Sequence, residues 1–234
     1  MKILALDSTA VVGSVALCED SRMVAHYTLN TGNTHSQTLL PMIESVLKSA
    51  EWEIEDLDLF AITQGPGSFT GVRIGIATVK GLAFGKNIPC VGVSTLEALA
   101  YNLRYFNGII CPVMNARRAQ VYNALFSCQD GVLTRLCPDR AVSIAELDAE
   151  LAALDQPIYL VGDGYDITLQ GLEQTQVRAV PEELRYQSGY SVALCGLAAY
   201  LRGEATDDTT LAPVYLRPSQ AERERNERLA KENA

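Results

Sequence analysis

The chain has 234 residues, of which 48% are hydrophobic and 20% charged, with a formal net charge of −9. That length accommodates one large domain or two small ones with ample core-forming potential, and the composition is that of an ordinary globular protein. The acidic balance argues against a protein that grips nucleic acid by its own charge, since such binding needs clustered Lys and Arg to neutralise phosphates.

Read in chain order, strand-like runs lie near 2–8, 13–19 and 22–29. A helix follows from Thr34, where Thr34-x-x-Gln37 has the form of a capping box. Leu39, Leu40, Ile43, Val46 and Leu47 then mark an apolar face at helical spacing. A strand at 57–64, a glycine-rich turn, a helix at about 70–85, a strand at 88–93 and a helix capped by Ser94 complete the first half.

The second half repeats that order. Strand-like runs lie near 108–115, 120–127 and 131–137, with Asp130-Gly131 as a hairpin turn. Ser143-x-x-Glu146 caps a helix to about Leu154, Ile158 to Val161 is a strand, and a short helix follows near 165–172. A weak strand near 177–180 precedes a helix from Ser188 to about Leu201, stopped by Gly203. Each half thus reads β-β-β-α-β-α-β-α, an α/β architecture of mixed sheets flanked by helices. Beyond Pro218, Glu224–Arg228 and Glu227–Lys231 form i,i+4 pairs worth ~0.2–0.5 kcal/mol each on a solvated helix with hardly any apolar stripe.

No uncharged stretch reaches the ~20 residues a membrane-spanning helix needs. Asp7 interrupts the first apolar run, so the N-terminus does not read as a signal peptide. Cys18, Cys90, Cys111, Cys128, Cys137 and Cys195 show no CxxC or CxH spacing, and most fall in apolar runs as small hydrophobes. The expected location is the reduced cytoplasm.

The stretch Gly65-Pro66-Gly67-Ser68-Phe69-Thr70-Gly71-Val72-Arg73-Ile74-Gly75 is the most informative. It is neither a Walker phosphate loop nor a dinucleotide fingerprint, because it lacks the Lys-Ser/Thr of the one and the glycine spacing of the other. Backbone N–H groups at a helix start attract anions, which gives one reading of the turn. Gly71, Gly75 and Gly81 support another, close approach of a second backbone, because interior glycine costs about 1 kcal/mol relative to alanine. The spacing favours close approach, by the chain's own sheet or by a neighbouring subunit. His26 and His35 are too few and too far apart to form a metal site by spacing alone.

Together with the opening Ile3-Leu4-Ala5-Leu6-Asp7-Ser8-Thr9 and the run from His35 to Pro41, that stretch closely resembles the TsaB (YeaZ) family. Similarity covers most of the chain, the N-terminal motifs being the specific part, and Pro213 to Arg217 is similar to the family's closing pattern. The resemblance implies two tandem ribonuclease-H-like halves of the sugar kinase, Hsp70 and actin group. These would lie at 1–105, carrying the partner interface, and at 106–217, with a charged helical tail at 218–234. It also implies a non-catalytic subunit of the bacterial machinery that makes threonylcarbamoyladenosine in tRNA. In that machinery TsaD modifies N6 of adenosine 37 in tRNAs reading codons that begin with A, and an ATPase, TsaE, joins the complex. Expected partners are therefore a TsaD-like catalytic subunit, a TsaE-like ATPase and a second copy of the chain when TsaD is absent. tRNA is expected only through the complex.

The implied partner interface uses Leu39, Leu40, Ile43, Val46, Leu47, Gly71, Gly75 and Gly81. No catalytic residue, metal or cofactor of its own is expected, with ATP or ADP bound at a complex interface. In the kinase-actin group the turn equivalent to Asp7-Ser8-Thr9 faces nucleotide phosphates, which makes these three the candidate nucleotide residues. The simpler reading is that they satisfy turn backbone groups. Gly162-Asp163-Gly164 is placed suggestively for a second phosphate loop, although such pairs are common in turns. TsaD carries a metal-binding HxxxH, whereas here His35 is followed four residues later by Leu39. Asn115 stands where the family usually has Asp, keeping hydrogen bonding but losing charge. Arg117 and Arg118 beside it read first as salt-bridge residues and second as RNA contacts. Rival functions are an ATP-dependent phosphotransferase or ATPase of the same fold and, more weakly, a metallopeptidase-like protein.

Overall fold

The computed structural model describes residues 1–217, so the charged helix expected at 218–234 lies outside the described residues. Strands β1 (Lys2–Asp7), β2 (Gly13–Glu19) and β3 (Arg22–Leu29) form an antiparallel meander. Helix α1 (His35–Ala50) leads to β4 (Leu59–Gly65), α2 (Phe69–Ala83) to β5 (Cys90–Ser94), and α3 (Thr95–Asn102) closes the run. The sheet order is β3-β2-β1-β4-β5, with β4 parallel to both β1 and β5. Strands β1 and β4 are apolar on both faces because helices cover both, the usual condition of parallel pairs. One face packs Leu4, Leu6, Phe60 and Ile62 against α1 and α2.

Thr34 is the N-cap residue of α1, but its side chain makes no capping bond, and the expected capping box does not form. Its hydroxyl instead accepts a 3.3 Å bond from Ser36 Oγ. At α4 (Ile144–Ala152) the expected box does form: Glu146 N–H donates to Ser143 Oγ at 3.2 Å and Ser143 N–H to Glu146 Oε2 at 3.0 Å.

The second sheet holds β6 (Gly108–Asn115), β7 (Gln120–Asn123), β8 (Phe126–Gln129), β9 (Val132–Arg135) and β10 (Arg140–Ser143). Its order is β10-β7-β6-β8-β9, with β11 (Ile158–Val161) parallel to β6. The single strand expected at 120–127 is split at Ala124 and Leu125. Pro112 of β6 has no N–H for the ladder there. The buried Asn123 amide takes over, donating to the carbonyls of Pro112 at 3.1 Å and Ala124 at 2.9 Å. β10 was not legible because its four residues run directly into a helix cap. The strand expected at 177–180 is reduced to one bridge, Arg178 with Tyr159, ahead of Pro181. Helix α5 (Tyr165–Gly171) follows β11, and α6 (Gly189–Leu201) is the last helix among the described residues.

The sheets divide near residue 105, but helix packing does not follow that division. Helix α6, read in chain order as the end of the second half, crosses back and lies on the first sheet. There Val192, Ala193, Cys195 and Ala199 cover Ile3, Ala5, Ala61 and Val93. Helix α3 is shared, with Ala98 in that core and Leu96, Leu99 and Ala100 in the core of the second half. The α6 contact is close: a methyl on Gly196 would sit 2.5 Å from Ala61 Cβ, and one on Gly189 2.7 Å from Ala16 N. The cysteines are free thiols, five of them buried, and burial pushes Cys18 and Cys111 up to about 12.

Gly196→Val should therefore overpack this interface and cost about 1–3 kcal/mol in urea unfolding. An unchanged midpoint would mean that α6 does not rest on the first sheet.

Candidate functional site

Four turns converge on a cleft of about 850 Å³ between the two sheets. They are the β1–β2 turn at Thr9–Val11, the β4–α2 turn from Pro66, the β6–β7 turn at Met114–Arg117 and the β11–α5 turn at Asp163. The chain segment Val214–Arg217 borders the same space.

The first two turns are locked together by backbone contact. Ser68 caps α2, accepting from Gly71 N–H at 3.3 Å, while Ser68 N–H donates to Thr9 O at 2.7 Å. Ser8 Oγ donates to Gly71 O at 2.9 Å. A methyl on Gly71 would overlap the Ser8 carbonyl oxygen, one on Gly75 would overlap Ser8 Oγ, and one on Gly67 would lie 2.6 Å from Thr9 O. The glycines of this stretch therefore admit the chain's own β1–β2 turn, the close-approach reading. Gly65, at φ +120°, likewise admits the carbonyl of Val214, whose N–H donates to Gln64 O at 2.8 Å.

Asp7, Ser8 and Thr9 are each no more than 1% exposed. Asp7 Oδ1 accepts from Thr9 N–H at 2.8 Å and from Thr9 Oγ1 at 2.7 Å. Asp7 and Thr9 thus bond each other within the turn, while Ser8 reaches α2. Burial pushes the Asp7 carboxyl up to about 6, against the opposing Thr9 bonds, and the charge of Asp163 adds to the rise. Solvent reaches Asp163 through the cleft, yet surrounding protein pushes its carboxyl to about 6 as well, opposed by the Asn115 N–H. The charge of Asp163, from the second half, thus reaches Asp7 in the first. Asn115 Oδ1 accepts from Arg117 N–H at 2.8 Å, an amide doing turn work. Arg117, Arg118 and Ala119 follow with φ of 64°, 55° and 55°, a left-handed run that costs roughly 1–2 kcal/mol per residue. Arg118 is exposed, and no ion pair with it forms among the described residues.

His35 acts in this site in a way its spacing did not suggest. Its Nε2 donates to Ala10 O at 2.6 Å, tying the start of α1 to the β1–β2 turn. Among the described residues no group of three or more His, Cys, Asp or Glu side chains is placed to hold a metal.

The partner residues separate into two sets. Leu39, Ile43, Val46 and Leu47 are 1–8% exposed and belong to the core beneath α1, so their assignment to a partner surface is corrected. Gly71 and Gly75 are likewise occupied by Ser8. Leu40 remains 48% exposed, and a methyl on exposed Gly81 would meet none of the described residues within 4 Å. Phe84, 78% exposed at the end of α2, was missed because it falls past the apolar stripe. A further feature was hidden in two separate motifs. Phe69 stacks on Tyr215 with centroids 4.5 Å apart, and Arg73 lies 4.0 Å over Phe69 while donating to Tyr215 Oη at 2.8 Å. Arg217 then reaches Ala116 O at 3.1 Å, so this segment straps the first half to the second.

Residues 26–224 match the family model of TsaD, tRNA N6-adenosine threonylcarbamoyltransferase. The chain is 33% identical over 233 residues to the tRNA threonylcarbamoyladenosine biosynthesis protein TsaB of Bacillus subtilis, covering 95% of this chain and 96% of that one. It is 40% identical to the Escherichia coli protein of the same name over 124 residues, 52% of this chain and 53% of that one. Its fold is similar to the solved structure of YeaZ from Pseudomonas aeruginosa, with a TM-score of 0.77 and 27% identity over 92% of this chain and 99% of that one.

The raised Asp7 carboxyl has a thermodynamic consequence. The folded state holds this proton more tightly than the unfolded chain, so Asp7 costs nothing below about pH 4 and its full penalty above about pH 6. Asp7→Asn, which keeps an acceptor for Thr9, should raise stability at pH 7.5 by on the order of 2 kcal/mol. Its unfolding free energy should fall less than that of the wild type between pH 4 and 6. Parallel pH profiles would show that Asp7 keeps an ordinary carboxylate pKa.

Proposed function

Since the chain belongs to the TsaB family, we propose that it serves threonylcarbamoyladenosine biosynthesis in tRNA as a non-catalytic subunit that pairs with a TsaD-like transferase. The reaction it supports is transfer of threonylcarbamoyl to N6 of adenosine 37 in tRNAs reading codons that begin with A. A TsaE-like ATPase joins the assembly, tRNA is engaged through the complex, and ATP or ADP sits at a subunit interface. Without the transferase the chain pairs with a second copy. The location proposed is the cytoplasm, and among the described residues no helix is long and apolar enough to cross a membrane.

The observation that carries this reading is the outward side of α1 and α2. The helices lie next to each other on one sheet face, and their free sides leave Leu40 of α1 and Gly81 and Phe84 at the end of α2 exposed. On α1 the exposed Leu40 is bordered by Ser36, Gln37, Glu44 and Lys48, an apolar residue in a polar rim as protein interfaces have. The residues of a nucleotide clamp are meanwhile turned to other work, Ser8 Oγ toward Gly71 O and Thr9 Oγ1 toward Asp7.

Gly81→Arg and Leu40→Asp should leave circular dichroism and thermal melting unchanged, because neither position touches the core. Each should weaken binding to a TsaD-like protein from the same genome at least ~tenfold, about 1.4 kcal/mol. Wild-type affinity in both folded variants would move the interface to the second half. The rival ATPase reading requires magnesium-dependent turnover that survives purification and disappears in Asp7→Ala. We expect none from the isolated chain, because hydrolysis needs a phosphate cradle and metal ligands together.

A further inference from the structure

At one end of the first sheet, three buried side chains carry polar atoms that find no hydrogen-bond partner among the described residues. These are Thr63 Oγ1, Thr95 Oγ1 and both amide atoms of Gln187, in residues only 0%, 0% and 2% exposed. Leaving such groups unpaired costs roughly 1–3 kcal/mol each, so folded proteins rarely do it.

Topology brings the three together. Ile3 and Ala5 of β1, like Leu59 and Ala61 of β4, face α6, and alternation places Asp7 and Thr63 next in those two rows. The Thr63 hydroxyl lies beside the Asp7 carboxyl and favours its charged form. Thr63 pairs with Val93 of β5, two residues before Thr95 opens α3. Gln187 immediately precedes Ser188, the N-cap of α6. Next to it, Gly189 N–H donates at 2.9 Å to Ser14 Oγ, and Ser14 is the β2 partner of Asp7. On its other side Tyr186 and Asp163 border a cavity of about 240 Å³, and Gly162 N–H donates to Arg185 O at 2.7 Å.

We propose that this junction is an internal hydration site, in which ordered water bridges Asp7, Thr63 and Thr95 of the first half to Gln187, where the chain returns from the second. The chemistry of the groups selects the guest. Gln187 presents a donor and an acceptor, and its partners must answer both. A bare cation would leave the Gln187 Nε2 hydrogens unanswered, and an anion would face Asp7 and the Gln187 Oε1. Water donates and accepts, and buried water commonly serves two to four such groups. Bridged in this way, the first sheet, α3 and the entry to α6 hold one another through polar contacts as well as apolar ones. This site is independent of which protein α1 and α2 bind.

A high-resolution crystal structure of the full chain should show solvent within hydrogen-bond distance of Thr63 Oγ1, Thr95 Oγ1 and the Gln187 amide. Crystals soaked in rubidium should show no anomalous peak there. Gln187→Met and Thr63→Val, which keep shape and remove the polar atoms, should each lower the melting midpoint by about 2–4 °C. Thr63→Ser should leave it unchanged, and the double variant should lose less than the sum, because the two side chains share solvent. Water-free density, a rubidium peak, or a Gln187→Met variant that melts higher than the wild type would overturn the proposal. The last result would mean that the amide is buried dry.

Discussion

The β1–β2 turn runs across the first two turns of α2 at backbone contact, and much of the site depends on that crossing. Ser8 can lie there only because Gly71 and Gly75 present no side chain. Two interior glycines weaken α2 by ~2 kcal/mol relative to alanine, a cost the crossing must offset. What it secures is position: Asp7 is sealed beneath the turn, Thr9 is aligned to bond it, and one wall of the cleft is set. His35 steadies the same turn from α1 through Ala10.

A second close approach joins the halves. Helix α6 lies low on the first sheet because Gly189 and Gly196 meet small residues, Ala16 and Ala61. Helix α3 contributes to both cores, and the Val214–Arg217 strap runs from Gln64 to Ala116. Three separate connections therefore hold Asp7 and Asp163 across one cleft, although they come from different sheets. Burial raises the Asp7 carboxyl and the charge of Asp163 adds to the rise, a cost that the surrounding framework offsets.

Inner and outer surfaces differ in how their side chains are engaged. In the cleft, hydroxyls, amides and arginines are largely engaged with the chain itself: Thr9 with Asp7, Asn115 with its own turn, Arg73 with Tyr215. Outside, α1 and α2 leave Leu40, Gly81 and Phe84 uncovered.

Periodicity and cap residues determined most of the elements locally. β2, β3, β6 and β11 needed no more than apolar patterning, and Ser94 and Ser143 marked helix starts through bonds made within four residues. The glycine spacing also carried its own meaning, close approach, since that follows from the absence of a side chain. What approached whom was a tertiary matter. Leu39 and Leu40 are adjacent, and only the position of the sheet decides that one is buried and the other free. The split between β7 and β8 depends on Pro112 in another strand, and the stack of Phe69 on Tyr215 joins residues far apart in the chain. Helix α6 shows the limit most clearly. Its sequence specifies a helix with small residues, but the sheet it covers is chosen by complementarity to Ala16 and Ala61, which no local signal encodes.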